Sequence, residues 1–247
     1  MYKNSPIYVL DFDGVICDST PECMVSAWNA WNKNHKKEYF FEDLSHFSKK
    51  QISEFRLLRP FVKGAGEYFT LMKILEEQNV TSINLLKYSE EVKKNKIKNI
   101  EFKKDFYFAR KKLRNLSEKK WVELHYIYKP VINFMKKIDK NSLCIATLKD
   151  RESVSLILKA QGLELSDSQI IDESMINNKL EALNIYVKKL KKKKNEIIFI
   201  DDNVTHLLDP FKEGFSVFLS TWCNCSEETR HIALKSGIKL LNNINEL

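Results

Sequence analysis

The chain has 247 residues, of which 43% are hydrophobic and 30% charged. This composition excludes a disordered or fibrous protein and leaves room for one large domain or a core with an insert. No apolar stretch is long enough to span a bilayer, and Met1-Tyr2-Lys3-Asn4-Ser5-Pro6 lacks the apolar run of a secretory signal, so no membrane partner is expected. Lys and Arg exceed Asp and Glu by 41 to 33, a net charge of +8, which brings anionic substrates or nucleic acid into consideration.

In chain order, the first element is the apolar run Ile7-Tyr8-Val9-Leu10, a buried strand predicted over 7–11. It ends in Asp11-Phe12-Asp13-Gly14. Two carboxylates two residues apart face the same way, because strand side chains alternate. They sit at the carboxyl end of a strand, where open α/β sheets bind ligands. Two anions that close favour a divalent cation, and aspartate can act as a covalent nucleophile on phosphorus, so the pattern points to Mg²⁺-dependent phosphoryl transfer. An acidic surface turn is the competing reading.

The middle of the chain, 19–125, has no convincing strand and reads as helical. Phe102, Phe106, Ala109, Leu113 and Leu116 recur at spacings of four, three, four and three, an amphipathic helix. Lys103, Tyr107, Arg110 and Arg114 follow its other side. Between Lys87 and Lys120 the sequence holds thirteen Lys or Arg and five Asp or Glu, which accounts for the whole basic excess. This segment, and the run Lys188-Lys189-Leu190-Lys191-Lys192-Lys193-Lys194, can be solvated helix faces or can meet nucleic acid; nucleic acid is not the favoured partner. The five cysteines (17, 23, 144, 223 and 225) form no paired metal motif and are expected to be free thiols in a reducing, cytoplasmic setting.

From about 126 onward, strands and helices alternate. Strands are predicted at 142–147, 169–172, 196–200, 215–220 and 238–241, and helices at 129–139, 150–161, 178–191, 204–213 and 226–236. Such alternation argues for a parallel sheet wrapped by helices. Three more polar groups fall at strand ends or helix starts. Thr147, with the backbone N–H groups after it, could hold phosphoryl oxygens; capping the helix near Asp150 is the alternative. Lys179 opens a helix, where its ammonium could neutralise a nucleophile and a transferring phosphoryl group. Ile197-Ile198-Phe199-Ile200 ends in Asp201-Asp202, and two acidic strand ends in one sheet can converge on a hard cation.

In this order the motifs resemble the haloacid dehalogenase-like hydrolase superfamily. Asp11-Phe12-Asp13-Gly14-Val15-Ile16-Cys17-Asp18-Ser19 is similar to its first motif in the phosphatase form, and Thr147-Leu148-Lys149-Asp150-Arg151 to its second. Lys179 falls at the third motif, Asp201-Asp202 at the fourth, and Gly214 at the usual distance beyond it. The resemblance implies an α/β fold: a Rossmann-like parallel sheet with helices on both faces, formed by 1–18 and 126–247, and an inserted, mainly α-helical cap over 19–125. It implies that Asp11 attacks phosphorus and that Asp13 serves as the proton carrier. Thr147 and Lys179 would bind the phosphoryl group. Mg²⁺ would be held by Asp11, the backbone carbonyl of Asp13, Asp202 and, in or next to that shell, Asp201. A second aspartate at position 13 argues against carbon–halogen cleavage. His206 departs from the pattern, standing four residues after Asp202 where many members carry aspartate. In the insert, Arg56, Arg59 and Arg110 are candidates to grip an anionic substrate, with solvated or structural roles as the alternative. The expected activity is a phosphomonoesterase on a small phosphorylated metabolite, phosphoglycolate phosphatase-like. The alternatives are a phosphomutase on the same core, or a non-catalytic protein whose basic insert binds nucleic acid or an acidic partner.

Overall fold

In the computed structural model, residues 6–35, 39–77, 79–223 and 225–247 are described; Met1–Ser5, at the head of the first expected domain, lie outside them. The chain forms two compact units, Met1–Asp18 with Ile127–Leu247, and Ser19–Tyr126. It opens with β1 (Ile7–Leu10) and the short β2 (Cys17–Asp18). Six helices follow: α1 (Thr20–Asn34), α2 (Lys49–Leu58), α3 (Tyr68–Glu77), α4 (Leu85–Lys94), α5 (Lys96–Leu116) and α6 (Glu118–Glu123). After β3 (Tyr126–Ile127) come α7 (Lys129–Lys137), β4 (Leu143–Ala146), α8 (Arg151–Ala160), β5 (Ile170–Ile171) and α9 (Lys179–Leu190). The chain then forms β6 (Ile197–Asp201), α10 (Val204–Lys212), β7 (Ser216–Ser220), α11 (Glu227–Lys235) and β8 (Lys239–Leu241). Each predicted strand and helix of the C-terminal half lies within a residue or two of its observed span. No helix among the described residues is long and apolar enough to cross a membrane.

Six strands make one parallel sheet in the order β5-β4-β1-β6-β7-β8. Both faces are covered, as continuous apolar strands require. Ile7 and Val9 join Phe199, Val217 and Leu219 in a buried cluster with Leu183 and Tyr186 of α9, Leu207 of α10 and Ala233 of α11. Tyr8 points the other way and meets Phe134 of α7 edge-on, ring centroids 5.1 Å apart. The chain leaves β1 to form β4 and β5 on one side, then crosses to β6 on the other. This reversal is the crevice where open α/β sheets place ligands. Leu10 stands opposite both Ile145 and Ile200, so Asp11 is level with the ends of both neighbouring strands.

The inserted unit is helical. Its core stacks Tyr68 on Phe106, centroids 4.8 Å apart, and Phe55 on Tyr68 at 5.9 Å. The structure corrects the reading of α5. Arg110 and Arg114 do not line an open face: they are 4% and 6% exposed, while Leu116, expected in the core, is 54% exposed. The reason is a buried acid on α1. Glu22 is fully buried, and its Oε1 and Oε2 accept from Arg110 Nε and Nη2 at 2.8 Å each. A planar guanidinium that satisfies a carboxylate in this forked way can be interior where a lysine could not.

Candidate active site

The site of the α/β unit is assembled from loops at the carboxyl ends of β1, β4 and β6 and the first turns of α9 and α10. Asp11 follows β1 and is 7% exposed. Its Oδ1 accepts from Lys179 Nζ at 2.5 Å and from the Phe12 N–H at 2.7 Å. Both donors fall on Oδ1, which leaves the Oδ2 lone pairs for chemistry. Lys179 is the first residue of α9, whose N-cap Asn178 accepts from the Glu181 N–H. Although only 2% exposed, Lys179 also donates to the Ala146 carbonyl at 2.6 Å and lies 3.5 Å from Asp201 Oδ2. One ammonium thus ties together the ends of β1, β4 and β6.

The two acids it touches titrate in opposite directions. Burial pushes Asp11 up to about 6, opposed by the Lys179 charge. Burial also raises Asp201, but His206 and Lys179 outweigh it and hold Asp201 down at about 2. For Lys179, burial favours loss of the proton, and the neighbouring Asp11 and Asp201 more than reverse this, so its pKa is raised. Desolvation is the cost of bringing three charges together here; mutual pairing offsets it.

Asp13 lies two residues on, and Lys149 Nζ stands 3.4 Å from its Oδ1. Lys149 was not singled out from the sequence, yet its side chain is completely buried. Its place three residues past the end of the apolar strand β4, beside Thr147, is the signal that could have found it. Thr147 is 1% exposed, and its Oγ1 accepts from the Lys149 N–H at 3.0 Å. It does not cap the following helix: Asp150 does, accepting from the Ser153 N–H at 2.9 Å. The strand-end acid of β5, Asp172, is used structurally, accepting from the Arg151 N–H at 3.0 Å.

Gly14 explains how Asp202 reaches the first motif. Its φ is +85°, and a Cβ built there would fall inside the Asp202 carboxylate, with the farther oxygen, Oδ1, still only 2.7 Å away. Only glycine lets the carboxylate lie against this turn. His206, in the first turn of α10, places Nδ1 3.2 and 3.3 Å from the Asp201 oxygens. One ligand atom each from Asp11, Asp201 and His206 lie within 4.8 Å of one another. Ionisable oxygens from two strands, with Asp202 close by, form a donor set that fits a divalent cation. Asp11, Asp13, Thr147, Lys179, Asp201 and Asp202 therefore share one end of the sheet. Arg56 on α2, Arg59 just after it and Arg110 belong to the inserted unit. Arg59 lies over the Tyr68 ring at 6.0 Å, and Arg110 is engaged with Glu22 as described.

A family model for haloacid dehalogenase-like hydrolases matches residues 6–208. Solved structures share the fold. A predicted phosphoglycolate phosphatase from Haemophilus somnus superposes with a TM-score of 0.60 at 16% identity, covering 98% of this chain and 96% of that one. CbbY from Rhodobacter sphaeroides, in complex with phosphate, gives 0.56 at 14% identity over 97% and 95%. A haloacid dehalogenase-like family protein from Streptococcus pneumoniae gives 0.58 at 13% identity over 96% and 93%. No curated protein matches by sequence.

Proposed function

The chain belongs to the haloacid dehalogenase-like hydrolase family, and from that premise we propose that it is a Mg²⁺-dependent phosphomonoesterase acting through an aspartyl-phosphate on Asp11. The observation that carries this reading is the Asp11–Lys179 pair, 2.5 Å apart at the end of β1 and on the reversal of strand order. The substrate we propose is a small phosphorylated metabolite of the phosphoglycolate kind, in line with the description of the Haemophilus somnus relative in fold.

In the first step Asp11 Oδ2 attacks phosphorus. The new P–O bond forms as the ester P–O bond breaks, and Asp13 gives its proton to the departing oxygen. In the second step Asp13, now a carboxylate, takes a proton from water as that water attacks the same phosphorus, releasing phosphate and restoring Asp11. Lys179 counters the burial that favours a protonated Asp11 and opposes the charge of the transferring group, and Thr147 with its following N–H groups receives phosphoryl oxygens. Asp11, the Asp13 carbonyl, Asp201 and Asp202 would hold the cation, which supplies further neutralisation of phosphoryl charge when bound. Lys149, 3.4 Å from Asp13 Oδ1, orients that carboxyl group; its role is positioning. A helical insert of this kind serves as a cap that excludes water and selects substrate.

The test is phosphate release from sugar phosphates, nucleotides, phosphoglycolate and phosphorylated oligonucleotides, with and without Mg²⁺. Turnover of small phosphate esters that Asp11→Asn abolishes supports the reading. Wild-type turnover by Asp11→Asn overturns it, and an isomerised sugar phosphate in place of free phosphate would make the protein a mutase.

A further inference from the structure

Two groups at the proposed cation site are not oxygen donors. His206 Nδ1 lies 3.2 Å from Asp201 Oδ2, and Cys223 Sγ lies 3.5 Å from Asp202 Oδ2. Two ligand atoms bound side by side on an octahedral cation, each about 2.1 Å from it, are about 3 Å apart. The His206–Asp201 pair is within hydrogen-bond distance here, and its 3.2 Å separation is also close to one edge of such a shell, so a cation could replace the shared proton with little movement. His206 is also drawn into the set independently of Asp201, since its ligand atom lies within 4.8 Å of that of Asp11. Its backbone is fixed in the first turn of α10, which Asn203 caps by accepting from the Thr205 N–H at 3.0 Å. The imidazole is not a freely swinging surface group.

Imidazole nitrogen suits first-row transition cations and discriminates against Mg²⁺, which takes oxygen ligands and surrenders its water reluctantly. We infer that His206 is a direct nitrogen ligand of the bound cation and tilts this site from Mg²⁺ toward nitrogen-preferring transition dications such as Fe²⁺ or Ni²⁺, with Mn²⁺ serving as the paramagnetic probe. The inference rests on the cation site of the proposed phosphatase and refines it: Mg²⁺ can still occupy the oxygen donors, and His206 changes the ratio of the two affinities. The Cys223 thiol beside Asp202 places a second soft group at the rim of the same set.

The experiment uses the full chain, stripped of metal and loaded with one equivalent of Mn²⁺. Pulsed electron paramagnetic resonance reads ¹⁴N coupling to the bound Mn²⁺, and calorimetry on metal-free protein gives the Ni²⁺ and Mg²⁺ affinities without reference to turnover. Wild type should show nitrogen coupling that becomes ¹⁵N coupling when histidine is ¹⁵N-labelled. His206→Asp should lose the coupling and lower the Ni²⁺-to-Mg²⁺ affinity ratio roughly tenfold or more, in keeping with the donor preferences of the two ions. His206→Asn, of the same size but without the added negative charge, gives the same readout if the aspartate variant is poorly folded. Wild-type Mn²⁺ without nitrogen coupling, or an affinity ratio unchanged in the variants, overturns the inference. If phosphate release that depends on Asp11 persists in that case, the inference alone falls; if Asp11→Asn also leaves turnover intact, the phosphatase reading falls with it.

Discussion

Replacing Gly14 with alanine isolates the closest contact of the site. Two costs add. The first is backbone strain: a non-glycine residue at φ +85° costs about 1–2 kcal/mol. The second is steric. Ordinary contact begins at 3.4 Å, and the new Cβ would meet even the farther Asp202 oxygen at 2.7 Å, with Oδ2 and Cγ nearer still, so the carboxylate must retreat by more than about 1 Å, a displacement that can lower turnover by about 100-fold at a preorganised site. Gly214 separates the two costs. Its φ is +88° but nothing lies within 4 Å of its Cβ position, so Gly214→Ala carries strain alone. Gly64 has neither a positive φ nor a neighbour there, and Gly64→Ala should be silent. Thermal unfolding should give a drop of about 2–8 °C for Gly214→Ala and at least as much for Gly14→Ala. Calorimetric Mn²⁺ binding should weaken only in Gly14→Ala. If Gly14→Ala binds the cation and turns over as wild type does, Asp202 has no part in the site and the reasoning fails.

Other expectations concern the buried charges. Lys179→Met strands Asp11 beside Asp201 and should cost about 3–5 kcal/mol of stability together with turnover; denaturation within about 1 kcal/mol of wild type would show that the ammonium is not tying the strand ends together. In the inserted unit, Arg110→Met or Glu22→Leu alone should cost about 3–5 kcal/mol, and the two together considerably less than the sum. Additive losses in urea denaturation would mean the pair is not coupled. In metal-free protein the native carboxyl of Asp11 keeps its proton to about 6 against 3.8 unfolded. The native state thus binds more protons in that window, and its stability should fall by up to about 3 kcal/mol as pH rises through it. Asp11→Asn should flatten this part of the pH–stability curve, and an unchanged slope would contradict the burial-driven shift.

The α/β unit was legible because its strands are short continuous apolar runs ended by chemically distinctive residues. Val9, Ile145 and Phe199 are buried on a sheet covered on both sides, and the polar residue after each run marks where the sheet stops. The site was legible for the same reason: Asp11, Thr147 and Asp201 each follow an apolar run, and Lys179 follows the helix signal Asn178. What was hidden depended on partners distant in sequence. Lys149 looked like one more surface cation in a lysine-rich chain, and Arg110 read as a candidate to grip an anionic substrate, with a solvated or structural role as the alternative. Only the fold brings Lys149 to Asp13 and sets Arg110 against Glu22, 88 residues away. Helical spacing gave the buried stripe of α5 but not its width, because packing on a second side draws Arg110 and Arg114 inward while Leu116, at the last turn, is left exposed. His206 was visible only as a departure from a pattern; its distance to Asp201 gives it chemical meaning.

The central claim is that Asp11 becomes phosphorylated during turnover, and chemical trapping tests it most directly. Borohydride reduces an aspartyl-phosphate to homoserine. After brief exposure of the cation-loaded chain to a turned-over phosphate ester, acid quench and borohydride treatment, peptide mass spectrometry should find homoserine at position 11, and not in protein kept from substrate. Phosphate release with no modification at Asp11, or with the trapped group at another residue, would contradict the account.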